Sequence, residues 1–245
     1  MADYDSERLR QQIRQIIKEE ASGDGGGDGG GGVREEIRRI VQDETMGAGE
    51  APPPAPIADP TPLAVSAFSL TNFLLAIVNA GWLAEIGTVI PWALFYGGLA
   101  QFVAGIWEFR NNNTFGATLF CSFGAFWGAI GFFFFFTPSL GVASTASQLP
   151  AVGFALVGWT IFSLYMWVAS IKVNKTVFII FALLVLTLIL LDIGFLGEAP
   201  GLIVAGGYTG ILISLAGWYL AAAGVINHVF GRVLLPIGGP FGEEG

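Results

Sequence analysis

Six apolar segments follow one another through residues 63–227, with short polar connections between them. They run approximately over 63–83, 89–107, 114–136, 149–170, 176–197 and 202–227. Each is close to the roughly 20 residues that an α-helix needs to cross the hydrocarbon core of a bilayer. Since a helix pairs its own backbone groups in lipid, the sequence predicts an all-α integral membrane protein with six transmembrane helices per subunit.

Charged residues are scarce and lie mostly before the first apolar segment. They make up 12% of the 245 residues, while 53% are hydrophobic, and soluble domains carry about 25% charged residues. Residues 1–60 hold 7 of the 11 Lys and Arg and 13 of the 19 Asp and Glu. The formal net charge of −8 argues against a nucleic-acid partner.

The basic residues beyond this tail occupy alternate connections between the segments. Arg110 follows the second segment, Lys172 and Lys175 follow the fourth, and Arg232 follows the sixth. Because the cytoplasmic loops of membrane proteins are enriched in Lys and Arg, the alternation predicts that both termini are cytoplasmic. We expect a multi-pass protein of the plasma membrane.

The tail contains a short internal repeat, in which residues 9–20 align without gaps on residues 33–44. The shared apolar spacing predicts two amphipathic helices, and the Gly-rich run 23–32 predicts a flexible joint. The tail either pairs with a partner helix or a sister subunit, or stays solvated. The predicted organisation is a charged cytoplasmic tail with Gly- and Pro-rich linkers over 1–58, a six-helix transport domain over 59–239 and a short C-terminal tail over 240–245.

No residue pattern in the sequence indicates an enzyme. We find no metal-ligand cluster, nucleophile–base pair or phosphate loop, so the sequence predicts neither a catalytic residue nor a metal or cofactor. Six spans with little soluble mass favour transport. The first segment carries Ser66, Ser69, Thr71 and Asn72 among its apolar residues, and we expect this polar stripe to face a solute path.

Two acidic residues near or within the apolar segments need an explanation, because buried ionisable groups are costly in membranes. Glu108 lies two positions before Arg110, and an ion pair at the rim is expected for it. Asp192 lies within the fifth segment and has either a transport role or a partner at the interface or at a subunit contact. No basic residue lies inside a span, so an anion would depend on helix N-termini, hydroxyls and amides, or would cross as the neutral acid.

Five stretches resemble the signature motifs of one transporter family. They are Asp59-Pro-Thr-Pro-Leu-Ala, Phe95-Tyr-Gly-Gly-Leu-Ala-Gln101, Glu108-Phe-Arg-Asn-Asn-Asn-Thr-Phe-Gly116, Ser122-Phe-Gly-Ala-Phe-Trp127 and Phe230-Gly-Arg-Val-Leu-Leu-Pro-Ile-Gly238. In this order they are similar to motifs of the acetate uptake transporter family (GPR1/FUN34/YaaH-like), which includes bacterial acetate/succinate transporters. The resemblance covers residues 59–239, nearly all of the predicted membrane part.

The resemblance implies six helices around a solute path, assembled as a homo-hexamer that passes acetate and related carboxylates, in some members with protons. It also implies an apolar constriction, which falls on Phe68, Phe123 and Leu184. Phe123 departs from the family's Tyr by losing a hydroxyl, a possible hydrogen-bonding group for a carboxylate. For the rest of the substrate path we expect Thr71, Asn72 and Tyr96.

The function predicted on this basis is a membrane channel or proton-coupled transporter for acetate and similar small monocarboxylates. Two alternatives stay open. One is a channel for a neutral small solute such as urea or ammonia, since no buried cation is available to select anions. The other is a membrane sensor or scaffold that acts through its tail helices.

Overall fold

A computed structural model describes residues 57–139 and 149–242, together with scattered positions between residues 11 and 40. The chain divides into two units, 1–56 and 57–245. In the first unit the described positions, such as 13–15 and 37–40, are helical. The rest of the predicted tail repeat and its linkers lie outside the described residues, so the organisation of the tail stays a prediction.

The second unit is a bundle of helices, with no strand in the ranges 57–139 and 149–242. Six helices are long and apolar enough to cross a membrane. They are α1 (Thr61–Asn79), α2 (the span Ile86–Arg110), α3 (Thr114–Ser139), α4 (Leu149–Ser170), α5 (Lys175–Leu196) and α6 (Pro200–Phe230). The predicted all-α fold with six membrane spans is confirmed.

Prolines, a capping side chain and a glycine define several of the helix ends. Pro62 lies in the first turn of α1 and Pro200 opens α6, where a missing N–H costs nothing. The side chain of Asn174 accepts a hydrogen bond from the N–H of Val177 (2.8 Å) and caps α5. Gly231, with φ +61°, ends α6 in the left-handed conformation that glycine adopts without strain.

The second span is not one regular helix. A 3₁₀ turn at Ile86–Thr88 precedes the α-helix Ile90–Leu94, a π-helical stretch Phe95–Ala100 follows, and the α-helix Gln101–Arg110 completes the span. A π turn leaves helical carbonyls without their ordinary partner. Just before this stretch, the carbonyl of Trp92 accepts both the backbone N–H of Phe95 and a hydrogen bond from Thr71 Oγ1 on α1 (3.3 Å).

Glycine allows α6 to pack closely on α1. A Cβ atom at Gly207 would overlap the backbone nitrogen of Ala80, and one at Gly224 would lie 2.7 Å from Pro62. Small residues let helix backbones approach in lipid, where apolar side chains alone give no preference for protein contacts. The α1–α6 pair therefore forms a close contact on one side of the bundle.

The chain after α6 folds back onto the start of α5. The N–H and the hydroxyl of Thr176 both donate to the carbonyl of Ile237 (3.1 and 2.9 Å), and the N–H of Phe241 donates to the carbonyl of Ile171 (3.0 Å). Asn227 Oδ1 accepts the backbone N–H groups of Leu234 and Leu235. The motif Phe230–Gly238 thus closes the end of the bundle at which α5 begins.

Candidate solute pathway

Two cavities lie between the helices of the second unit. The first has a volume of about 250 Å³ and lies at the end of the bundle where α1, α3 and α5 begin, with Asp59, Asn113 and Asn174 in its wall. The second has a volume of about 210 Å³ and is lined by aromatic residues such as Trp127 and Trp159. Both are large enough for a solute of a few heavy atoms with some water.

Three residues line both cavities: Phe68 of α1, Phe123 of α3 and Leu184 of α5. They are 9%, 3% and 6% exposed, respectively. The Phe68 and Phe123 rings meet edge to face, with centroids 5.8 Å apart and planes at 75°. We call these three residues the neck, because they separate the two cavities. They are the residues that the family resemblance proposed for the constriction, and their role in passage stays a prediction.

Further aromatic rings hold the neck in place. The Phe123 ring lies 5.2 Å from Trp159 and 5.6 Å from Phe162, both on α4. The Phe68 ring lies 6.3 Å from Trp127. Such edge-to-face and tilted pairs add about 0.5–1.5 kcal/mol each to the burial of the rings, so the Phe123 ring is firmly positioned between α1 and α4.

Of the three predicted path residues, the structure brings Asn72 to the neck. Asn72 lies four residues after Phe68, so it shares the face of α1 that lines the second cavity. Its Nδ2 donates to the carbonyl of Gly210 (2.8 Å) and to Ser214 Oγ (2.9 Å), both on α6. Among the described residues, no donor bonds its Oδ1 in return.

Thr71 and Tyr96 line neither cavity. Thr71 is fully buried against α2, and its hydroxyl lies 2.9 Å from the carbonyl of Ala67 and 3.3 Å from that of Trp92. Tyr96 lies in the π-helical stretch of α2 and packs edge to face on Trp92 (6.5 Å between centroids). The successive residues Thr71 and Asn72 point about 100° apart around α1, and of the two only Asn72 lies on the side that lines a cavity.

Thr187 and Gln101 are among the other polar residues that line the cavities, and neither was predicted on the solute path. Thr187 lies three residues after Leu184 on α5 and lines the second cavity. Gln101 lies at the start of the last part of α2 and lines the first cavity, and its Oε1 is buried without a partner among the described residues. The spacing of three from Leu184 would have indicated Thr187, whereas the π turn before Gln101 removes any simple periodicity.

Glu108 does not form the expected ion pair with Arg110 in the described part of the chain. It is 1% exposed, and its two oxygens accept hydrogen bonds from Thr61 Oγ1 and from Asn113 Nδ2, each at 2.9 Å. Arg110 is exposed. Residues two apart on a helix do not face each other, so the carboxylate instead joins the starts of α1 and α3. A Cβ atom at Gly116 would lie 2.8 Å from its Cδ, and only glycine leaves it room.

Asp192 lies at the contact between α4 and α5 and lines neither cavity. Its Oδ2 is 2.6 Å from Thr160 Oγ1 on α4. The side chain is 8% exposed. A direct role on the solute path is therefore not supported by its place in the bundle.

No Lys or Arg lines either cavity, and Asp59, at the edge of the first, is the one charged residue in the two walls as described. The second cavity is lined by apolar side chains, by Asn72, Asn79 and Thr187, and by the indoles of Trp127 and Trp159. The Nε1–H of Trp127 is buried without a partner among the described residues. The arrangement is that of two chambers with an apolar neck between them. It can strip water from a small solute but provides no fixed positive charge for it.

Comparison with known proteins shows to which family the chain is similar. The sequence profile of the GPR1/FUN34/yaaH family matches residues 43–236. The succinate-acetate/proton symporter SatP of Escherichia coli is 35% identical over 182 residues, which cover 74% of this chain and 96% of that protein. Ammonia transport outward protein 2 of Saccharomyces cerevisiae is 39% identical over 193 residues, covering 75% of this chain and 67% of that protein.

A solved structure of the bacterial acetate channel SatP superimposes with a TM-score of 0.71 at 34% sequence identity and covers 75% of this chain and all of that one. The family profile spans all six helices, together with the motif that begins at Asp59 and the first part of the motif that begins at Phe230. The chain is a multi-pass membrane protein, and it belongs to the GPR1/FUN34/yaaH family.

Proposed function

We propose that this chain is a membrane channel or proton-coupled transporter for acetate and similar small monocarboxylates. The observation that carries the proposal is the neck: Phe68, Phe123 and Leu184 each line both cavities. A solute that crosses the bundle by this route passes between these three side chains. Relatives and a solved structure bearing the names of acetate transporters support the choice of solute.

The two cavities suggest how passage occurs. Three helices begin at the first cavity, and helix N-termini carry partial positive charge that favours an approaching carboxylate. At the neck the solute loses most of its water, and the amide and hydroxyl groups beyond replace part of that hydration. Binding remains weak on both sides, as conduction requires.

The orientation, the cellular membrane and the oligomeric state of this protein are also proposals. The alternation of basic connections supports cytoplasmic termini, and a transporter of external acids belongs in the plasma membrane. Exposed apolar side chains along all six helices, such as Phe95, Phe154 and Val168, suit contact with lipid or with further copies, as in a homo-hexamer. We propose no enzymatic activity.

The proposal is tested by influx of labelled acetate into proteoliposomes of the purified full chain, relative to protein-free liposomes. The membrane potential and the pH gradient are set independently. Protein-dependent influx under either driving force is the expected result. Its absence under both would refute acetate transport.

A second candidate is a channel for ammonia or another small neutral solute. The named yeast relative and the absence of Lys and Arg from the two described cavity walls favour it. Competition distinguishes the two: inhibition of acetate influx by propionate but not by methylammonium or urea favours the first function, and the reverse pattern favours the second.

The proposal of a sensor or scaffold rests on the tail, and a variant without residues 1–50 tests it. Intact flux together with lost binding of a cytoplasmic partner would make the tail a separate module. Lost flux would make the tail part of the transporter.

A further inference from the structure

After α6 the chain turns and packs against the start of α5. Gly231, with φ +61°, ends α6, and Gly238, with φ +72°, bends the chain a second time. Both angles lie in the left-handed region that glycine adopts without strain. We call residues 231–241 the closing segment, because it lies at the end of the bundle where α5 begins.

Three successive carbonyls of the closing segment accept hydrogen bonds from the bundle: those of Leu235, Pro236 and Ile237. Asn227 Nδ2 donates to the first (2.9 Å) and Tyr219 Oη to the second (2.7 Å). The N–H and the hydroxyl of Thr176 donate to the third (3.1 and 2.9 Å). Because Asn227 and Tyr219 belong to α6 and Thr176 to α5, the closing segment is fastened to both helices.

Phe241 fastens the far end of the closing segment. Its N–H donates to the carbonyl of Ile171 (3.0 Å). Its ring centroid lies 5.0 Å from that of Phe178 and 5.9 Å from the Nζ of Lys175. Ile237 comes between this anchor and those on α6, so its position is fixed from both sides.

Ile237 is the residue of the closing segment that reaches the first cavity. Its side chain is half-buried, packs against the core and lines that cavity. No other residue of the closing segment lines either described cavity. Thr176, which holds the Ile237 carbonyl, precedes Leu184 of the neck by eight residues on α5. At 1.5 Å per residue the two levels are about 12 Å apart, so Ile237 borders the first cavity at the end away from the neck.

We propose that Ile237 is part of the mouth of the solute path, where the closing segment provides a second point of size selection beyond the neck. This inference rests on the proposed transport of small monocarboxylates. Asp59, Asn113 and Asn174 line the same cavity next to the starts of α1, α3 and α5. Ile237 adds a branched apolar side chain, held in place by its backbone, to these polar groups. A short acid leaves room for this side chain, whereas a longer acid has to pass against it.

The first test measures how uptake depends on the size of the acid. Uptake of labelled acetate and labelled propionate is compared in proteoliposomes of the full chain carrying Ile237→Trp or, as the matched control, Val233→Trp. Val233 belongs to the same segment, is 73% exposed and lines neither described cavity. The ratio of the two uptakes does not depend on the amount of folded protein. We expect the propionate-to-acetate ratio to fall by about tenfold in Ile237→Trp, an effect that one methylene can have in an apolar site, and to stay unchanged in Val233→Trp.

A second test does not require the larger side chain to be tolerated during folding. Cys121, the only cysteine of the chain, is replaced by serine, and Ile237→Cys and Val233→Cys are each introduced into this protein. Both are treated with sulfonatoethyl methanethiosulfonate before reconstitution, and mass spectrometry measures the labelling. We expect labelling of Ile237→Cys to lower acetate uptake by about tenfold, as a barrier raised by about 1.4 kcal/mol would, and dithiothreitol to restore it. Labelled Val233→Cys retains its uptake.

Three results would each overturn the inference while leaving the proposed function in place. The first is an equal propionate-to-acetate ratio in Ile237→Trp and Val233→Trp. The second is full labelling of Ile237→Cys without loss of acetate uptake. The third is a reagent that labels Val233→Cys but does not reach position 237. Absence of protein-dependent acetate uptake in the unaltered chain would instead refute the transport function itself, and this inference with it.

Discussion

Replacing Leu184 with alanine should open the neck and leave the bundle folded. The Leu184 side chain is buried, yet it borders an open volume on each side, about 250 Å³ in the first cavity and 210 Å³ in the second. Leucine-to-alanine changes in cores cost about 2–5 kcal/mol. Since part of the surface of Leu184 already faces a cavity, we expect a cost near the lower limit, about 2 kcal/mol.

The same substitution should also change the selectivity of the neck. An apolar pocket distinguishes solutes that differ by a methylene by about 1–3 kcal/mol, or about 10–200-fold. Removing most of one of the three neck side chains should reduce the discrimination between small and large acids by a similar amount. We therefore expect the ratio of succinate to acetate uptake in Leu184→Ala to rise at least about tenfold.

The assay is uptake of labelled acetate and labelled succinate into proteoliposomes with matched protein content. Leu186→Ala is the matched control, because Leu186 lies on the same helix, is 45% exposed and lines neither cavity. A succinate-to-acetate ratio that is the same in both variants would refute the assignment of Leu184 to the neck. Thermal unfolding in detergent separates a selectivity change from a loss of folded protein.

Two stability predictions follow from the packing of the bundle. Gly207→Ala places a methyl group against the backbone of α1 and should lower the free energy of unfolding by about 1–3 kcal/mol. Gly201→Ala is the control, because a Cβ there would meet nothing within 4 Å. Equal unfolding temperatures of the two variants in detergent would contradict the close α1–α6 contact. Asn113→Ala removes a donor from the buried carboxylate of Glu108 and should cost about 1–3 kcal/mol. Asn111→Ala, at an exposed position, is its control, and identical denaturation of these two proteins would show that the hydrogen bond adds nothing.

Sequence reasoning reached the neck through motifs rather than through periodicity. Phe68, Phe123 and Leu184 lie on three different helices, and no spacing along the chain relates them. Thr187 was missed although it lies three residues from Leu184, because the helix is apolar on all sides and nothing marked its inner face. Once one residue of a face is known, the spacing of three or four finds the others.

The sequence did not predict the surroundings of Thr71, Tyr96 and Glu108, for two different reasons. Thr71 and Tyr96 are polar residues at a helix contact, and their place depends on the π-helical stretch of α2, which no local pattern predicted. Glu108 next to Arg110 in the sequence suggested an ion pair, but helix geometry points the two side chains apart. Its true partners, Thr61 and Asn113, come from other helices.

The sequence by itself predicted six membrane-spanning helices and the ends of each to within about four residues, because apolar length, prolines and caps are local properties. Which faces meet was decided only in the tertiary structure. In lipid an apolar side chain gains little by turning inward, so hydrophobicity does not orient a helix. Close packing at glycines such as Gly207, and interhelical hydrogen bonds such as those of Asn72, set the rotation of the helices and thereby the neck.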